Sequence, residues 1–371
     1  MNSSRNRRGF IFLVISAILA SIILVSPMPY AIEMPGPSWN TLGVSTITNK
    51  DGTKTKVPLI TVSGAPTYPT TGSLDMLTVS VAGNPEHHPL FGDVVMSWLN
   101  PERAVIPMDL IYPPDVSQAD RDKENSAQMV DSQKEAIAAA FTHLGYDVTD
   151  MRIDKVEAGS PALGKLQAGD IVESINGKVV MSIPDMRAAL KANGVDKPAS
   201  FVYLRKNIRH QVDITPVLSD ANSAGQRFPI IKVLGSAVYD FPFQVTIRLD
   251  DVGGPSAGMM FALGVLDRIT PDDLTGGRHI AGTGTIDSAG EVGPIGGIRQ
   301  KMYSARTAGA NYMFVPADNC AEAFGHVPSG IQVFKVATLD DAIAAAKVIA
   351  KKDSTARTAE LAKLPTCTKS G

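Results

Sequence analysis

Cysteine is almost absent. The 371 residues hold only Cys320 and Cys367, far apart, the second in a polar tail. A disulfide framework is therefore not expected. Neither is a zinc site, which needs more Cys or His at short spacing. His87 and His88 in NPEHHP have no third ligand nearby, so they read as a solvated loop and no metal is expected. Charge of one sign is lacking too: 35 Lys and Arg face 37 Asp and Glu, a net charge of −2, so nothing global draws the chain to nucleic acid. A nucleotide-binding loop is also missing. GSPALGKL at 159–166 comes nearest to GxxxxGK[ST], but Leu166 stands where the metal-binding hydroxyl belongs. No cofactor is expected, and any ATPase would have to reside on another chain.

The length allows two domains or more. Apolar residues make up 44%, enough for real cores, and 32 Gly with 25 Pro point to many turns and a strand-rich fold. Arg5, Arg7 and Arg8 precede FIFLVISAILASIILVSPM at 10–28. As a helix this run spans roughly 28 Å, about one hydrocarbon core. The arginines would remain cytoplasmic and the rest would be exported. No clear A-x-A site follows, so the reading is a retained anchor at 10–28 behind a basic tail at 1–9, with a cleaved signal peptide as the competing reading.

Residues 30–128 read as a strand-rich region, with KVPLITVSG, LDMLTVSVAG and DVVMSWL as strands and Ser38 in PGPSWN as a turn residue. Residues 116–130 read as a polar linker or a first helical turn. Ile137, Ala140, Phe141 and Leu144 then fall at helical spacing, with Gly145 as the residue after the helix end. Next comes MRIDKVEAGSPALGKLQAGDIVESINGKVVMSIPDMRAALKA, with a hairpin at Asn176-Gly177 and a capping box from Ser182 to Asp185. The string V-x-x-GSPA…GD-I-x-x-I-NG, followed by a helix, resembles a PDZ domain, placed at 129–218 with its leading helix. The resemblance implies a groove for an extended peptide. Leu144-Gly145-Tyr146 is the candidate carboxylate-binding loop, in competition with the helix-end reading.

Residues 250–264, DDVGGPSAGMMFALG, place Ser256 at a strand-to-helix corner, with Pro255 as the expected first helical residue. Glycines permit close approach of a substrate, and amides at a helix start can hold an oxyanion. Gly254 and Ala257 are candidates for that support. GPSAG also satisfies G-x-S-x-G, which would want a histidine, and His279 and His326 are the candidates for a Ser-His-Asp hydrolase. Lys301 is the other candidate base, provided that burial beside PIGGI lowers its pKa.

GGPSAG, AGTGTID, GxVGPIGGIxxK and AGAxxxxVP, in that order over residues 228–350, resemble the proteolytic domain of Lon proteases. The resemblance implies Ser256 as nucleophile, Lys301 as base and Thr283 as their helper, with Asp250 and Asp251 as candidates for an acidic helper. It places that domain at 226–351, closed by a helix capped by Thr338 and carrying Leu339, Ile343 and Ala346. The tail at 352–371 reads as disordered. The layout resembles the Lon-like PDZ proteases of bacterial envelopes. The implied fold is α+β and multidomain, with a membrane anchor, a strand-rich segment, a PDZ domain and a Ser-Lys domain without an ATPase. Protein or peptide substrates are implied, as is a possible homo-oligomeric ring. A PDZ scaffold with a silent protease domain is the rival reading.

Overall fold

The computed structural model describes residues 3–48, 51–221, 225–249 and 252–368. The chain divides into two compact units, one of residues 1–136, 245–287 and 291–371, the other of residues 137–244 with 288–290. The PDZ module is thus an insertion. The region at 30–128, expected to stand apart, lies in the same unit as Ser256 and Lys301.

Six strands build the main sheet of the first unit. In chain order they are β1 (Tyr30–Asn40), β2 (Ser73–Ala82), β3 (Ala104–Pro107), β4 (His279–Gly282), β5 (Tyr312–Pro316) and β6 (Gln332–Val336). Their order across the sheet is β6-β5-β4-β2-β1-β3. Strands β2, β4, β5 and β6 run parallel, and β1 is antiparallel to both of its neighbours. Alternate residues point to opposite faces. Leu77, Ala281, Met313 and Val333 form one apolar face, against which Ile298, Met302 and Ala305 of the helix Ile298–Thr307 pack. Gly282 belongs to the other face, where a Cβ would lie 2.4 Å from the sulfur of Met260 on the helix Gly258–Ile269. The two helices that follow Ser256 and carry Lys301 therefore cover opposite faces of one sheet.

Several local expectations change. PGPSWN is strand, not turn: Ser38 pairs with Leu77, and a register shift between Pro35 and Ser38 absorbs residues whose prolines cannot donate to a ladder. DVVMSWL lies in a helix, Phe91–Trp98, because Val94 and Ser97 are buried three residues apart and Asp93 accepts from the Leu90 amide at 3.3 Å. The charged stretch at 116–130 is mostly helical as well. The Ser117 hydroxyl accepts from the Asp120 amide (3.1 Å) and donates to its carboxylate (2.6 Å), starting the long helix Gln118–His143.

The tail expected to be disordered is structured among its described residues. Ser354 caps the helix Thr355–Leu361, and the buried Arg357 guanidinium reaches the Tyr312 hydroxyl (2.6 Å) and Asp353 (2.7 Å). Cys367 is disulfide-bonded to Cys320, with their Cα atoms 4.7 Å apart. A polar composition hid one buried arginine, and the linear distance between two cysteines hid their proximity in space.

In the second unit the sheet order is Ile208–Ile214, Ala199–Arg205, Ile171–Ile175, Thr149–Val156, Val233–Tyr239. Its core includes Met151, Phe201, Met186 and Leu190, together with Ala162 and Leu166 of GSPALGKL. Leu166 is therefore core packing. Asn176 and Gly177 both have positive φ (52° and 77°), as a tight hairpin requires. The edge strand Val233–Tyr239 lies beyond residue 218, in sequence assigned to the proteolytic domain, because it pairs antiparallel with Thr149–Val156.

At the N-terminus the helix Ser3–Leu24 leaves the apolar side chains from Phe10 to Leu24 exposed. Among the described residues, no helix is long and apolar enough to cross a membrane.

The disulfide closes a loop with a sequence separation of 47. Reduction, or Cys367→Ser, is expected to lower stability by about 2–4 kcal/mol, read as a drop in Tm that reductant produces in the wild type and not in the variant.

Candidate active site

The chain enters the corner from the strand Gln244–Ile247. It turns at Gly254, whose φ of +84° favours glycine. The helix starts at Gly258 with Ala257 as its N-cap, so Pro255 lies in the turn ahead of it and not at the first helical position. Ser256 is half-buried inside this turn.

The long helix Gln118–His143 braces the turn. The Ser132 hydroxyl donates to Pro255 O (3.0 Å), and the Gly254 amide donates to Asn125 O (3.1 Å). A Cβ on Gly258 would lie 2.9 Å from both Ser132 Oγ and Ile286 Cγ2, so the helix start can approach this closely only as glycine. The amides of Gly258 and Met259 donate to Pro255 O and Gly284 O. The Gly254 amide is held by Asn125, whereas the amides of Gly253, Ser256 and Ala257 meet no backbone acceptor among the described residues.

Lys301 comes from the opposite face of the sheet. Its helix begins at Gly297, a left-handed N-cap (φ +68°) where a Cβ would sit 2.6 Å from Val79 of β2. The Ser304 hydroxyl donates to Gly36 O at 2.7 Å and ties this helix to β1. Lys301 is only 2% exposed. As ammonium, Nζ donates to Ser256 Oγ at 2.9 Å and to Thr283 Oγ1 at 3.0 Å. The Thr283 hydroxyl in turn donates to Ser256 O at 3.0 Å, and the Gly284 amide donates to the same carbonyl at 2.9 Å. The spacing of sequence motifs is thereby converted into a closed triangle of Ser256, Thr283 and Lys301.

Burial pushes the Lys301 ammonium down to about 8, while the Glu33 carboxylate on β1 works in the opposite direction. Glu33 is itself raised, first by burial and then by Glu322, against the lowering effect of Lys301. Sequence reasoning missed Glu33, which no motif marks and which only the pairing of β1 brings into the unit. Asp250 and Asp251 lie outside the described residues.

A cleft of ≈ 270 Å³ opens beside the dyad, walled by Pro37 and Trp39 of β1, Val79 of β2, and Val252. His279 is hydrogen-bonded to Asp75 at 2.5 Å and opens β4, so Thr283 follows it by roughly 13 Å of extended chain. His326 follows the short helix Cys320–Ala323, with its amide on Ala323 O. Neither histidine is among the hydrogen-bond partners of Ser256. Among the described residues no group of three His, Cys, Asp or Glu could hold a metal ion.

Leu144, Gly145 and Tyr146 give their amides to Ala140 O, Thr142 O and Phe141 O, and Gly145 has φ +85°. These three residues are the helix end, so their amides are not available to a carboxylate. The groove of this unit lies between the helix Ile183–Asn193 and the edge strand Val233–Tyr239, with Met186, Leu190, Ile231 and Val233 in a cleft of ≈ 330 Å³.

Residues 251–348 match the Lon protease (S16) C-terminal proteolytic domain, and residues 152–205 match the PDZ domain. The chain carries a Lon-type proteolytic domain. That domain family is a serine peptidase with a Ser-Lys dyad. Similar curated proteins include the Lon protease of Azospirillum brasilense, 33% identical over 93 residues, covering 24% of this chain and 11% of that one. Lon protease 1 of Sorangium cellulosum is 27% identical over 214 residues, covering 51% and 26%. The mitochondrial Lon protease homolog of Drosophila melanogaster is 32% identical over 91 residues, covering 24% and 9%. The chain thus spans about a quarter or less of the length of these relatives.

Two substitutions test the triangle. Thr283→Val removes the hydrogen bonds of the hydroxyl to Lys301 and to Ser256 O and is expected to slow acylation of Ser256 roughly ten- to a hundredfold. Glu33→Gln removes the negative charge that favours the ammonium, so the pH dependence of Ser256 acylation is expected to move to lower pH.

Proposed function

We propose that this chain is an ATP-independent serine endopeptidase, anchored by its N-terminal helix and acting outside the cytoplasm on unfolded or peptide substrates. The observation that carries the reading is the buried Lys301 amine within 2.9 Å of Ser256 Oγ, with a pKa brought down to about 8. A neutral amine there accepts the hydroxyl proton as Oγ attacks the peptide carbonyl. The amides of Ser256 and Ala257 face the developing oxyanion. The lysine then gives its proton to the leaving amine. An ester remains on Ser256, and Lys301 takes a proton from the water that hydrolyses it.

Substrate class follows from the cleft, which suits an extended chain and not a folded one. The strand Val233–Tyr239 stands last in its sheet, a position that suits a second stretch of extended polypeptide by strand addition at Val233–Val238, so the PDZ unit selects or gates substrates. ATP independence is supported by the position of GSPALGKL, whose Ala162 and Leu166 are core residues. The extracytoplasmic site is supported by the Cys320–Cys367 disulfide, which persists in oxidising compartments. Arg5, Arg7 and Arg8 before an exposed apolar helix support attachment of this helix to a membrane.

A fluorophosphonate probe tests the dyad. Labelling of the wild type is expected to disappear in Ser256→Ala and Lys301→Met and to survive in His279→Ala; equal peptide cleavage by the first two variants would refute the mechanism. The base works as the neutral amine, so kcat/KM is expected to rise about tenfold per pH unit below the lysine pKa of about 8 and to level off above it. A limb near pH 6.5 would instead indicate histidine.

A further inference from the structure

The helices Phe91–Trp98 and Met108–Ile111 leave an apolar surface that the proteolytic chemistry does not use. Met96 is 65% exposed, Trp98 59%, Leu99 76% and Leu110 71%. The inward side of the first helix is already satisfied by Val94 and Ser97, both buried. Isolated exposed apolar residues are ordinary, but several large ones on two helices that both pack on β3 call for an occupant.

The position of this surface indicates the occupant. The chain leaving the N-terminal helix at Ser26–Pro29 is bonded to both short helices. Ser26 O accepts from the Phe91 amide at 2.8 Å, the Met28 amide donates to Pro89 O at 2.9 Å, and Pro27 forms a bridge with Leu90. Pro29 O accepts from the Met108 amide at 3.1 Å. A Cβ on Gly92 would lie 3.3 Å from Leu24 O, so the first short helix abuts the end of the apolar one. The Trp98 ring stands edge-on to Tyr30, with 6.4 Å between centroids. Tyr30, Trp98 and the exposed side chains of Met96, Leu99 and Leu110 thus all lie on or beside the elements bonded to the chain that leaves the apolar helix. That is the depth at which Trp and Tyr favour a membrane boundary.

We infer that this surface rests in the interfacial layer of a lipid bilayer. Met96, Trp98, Leu99 and Leu110 dip into it and hold the β3 edge of the sheet against the membrane. The inference rests on the anchor reading of the N-terminal helix. The two short helices carry Asp93 and Asp109 and no basic residue, so seating depends on apolar burial and needs no anionic lipid.

The chain has two tryptophans, Trp39 and Trp98, which makes depth measurable. Full-length protein is reconstituted in phosphatidylcholine vesicles whose acyl chains are brominated near the headgroup. Trp39→Phe, which reports Trp98, is expected to be strongly quenched relative to unbrominated vesicles. Trp98→Phe, which reports the cleft residue Trp39, is expected to be unaffected. Leu99→Glu with Leu110→Glu is expected to abolish quenching of Trp98 while the protein still resists alkaline carbonate extraction. Carbonate-resistant protein whose Trp98 is unquenched by bromolipid and open to aqueous acrylamide would overturn the inference and leave the anchor standing. Trp98 shielded from both quenchers would assign the surface to a second copy of the chain and overturn it as well. Release of the wild type by carbonate would remove the anchor and the inference together.

Discussion

The hydrogen bond between Lys301 Nζ and Ser256 Oγ can serve catalysis only if the amine surrenders its charge near neutral pH, and that requirement governs much of the surrounding structure. Burial to 2% exposure supplies the destabilisation of the ammonium. Glu33 opposes it, so the pKa settles at about 8 and the amine stays within reach of working pH. Thr283 gives the lysine a second partner and so fixes where the amine points. A lysine with the serine alone could rotate about its flexible stem; one held between two hydroxyls 2.9 and 3.0 Å away has far less freedom.

The serine is held with equal economy. Its own carbonyl accepts from Thr283 and from Gly284, so the loop that positions the lysine also fixes the backbone of the nucleophile. Behind it, Asn125 and Ser132 of a helix far away in sequence clamp the Gly254 amide and the Pro255 carbonyl just ahead of the serine. These contacts occupy the neighbouring backbone groups and leave the amides of Ser256 and Ala257 without a backbone acceptor among the described residues. Orientation of a developing charge by fixed dipoles needs that kind of rigid support.

Much of this site was legible in the sequence, for a physical reason. Ser256, Thr283 and Lys301 each sit in glycine-rich strings whose close approaches leave a spacing signature. Capped helices at Ser182 and Thr338 were equally visible, since caps are local chemistry. What escaped was non-local. Glu33 is an unremarkable residue until β1 enters the sheet. DVVMSWL looks β-like by composition, but helical burial of Val94 and Ser97 decided its state. Leu144-Gly145-Tyr146 offered two readings that only backbone hydrogen bonds could separate. The tail looked disordered because the feature that binds it, Cys367, has its partner at the end of a different segment.

The insertion of the PDZ unit explains why the matched segment and the working site differ in extent. Residues 251–348 contain Ser256, Lys301 and the strands β4, β5 and β6. The sheet they form is completed by β2, whose Ser73 pairs with His279, and by β1 beyond it. Those two strands supply Glu33, Pro37, Trp39 and Val79, which means the charge that acts on the lysine and a wall of the cleft beside Ser256. Loop closure over such a separation costs only logarithmically more as the inserted chain lengthens. A whole domain can therefore sit between the halves of one sheet without much thermodynamic penalty, provided that the pairing of β2 with β4 is specified by its buried side chains. Leu74, Met76, Ile280 and Ala281 are fully buried there and provide that specification. Ser256 and Lys301 are thus local to one segment, while the charge that acts on the lysine and a wall of the adjoining cleft come from strands at the other end of the chain.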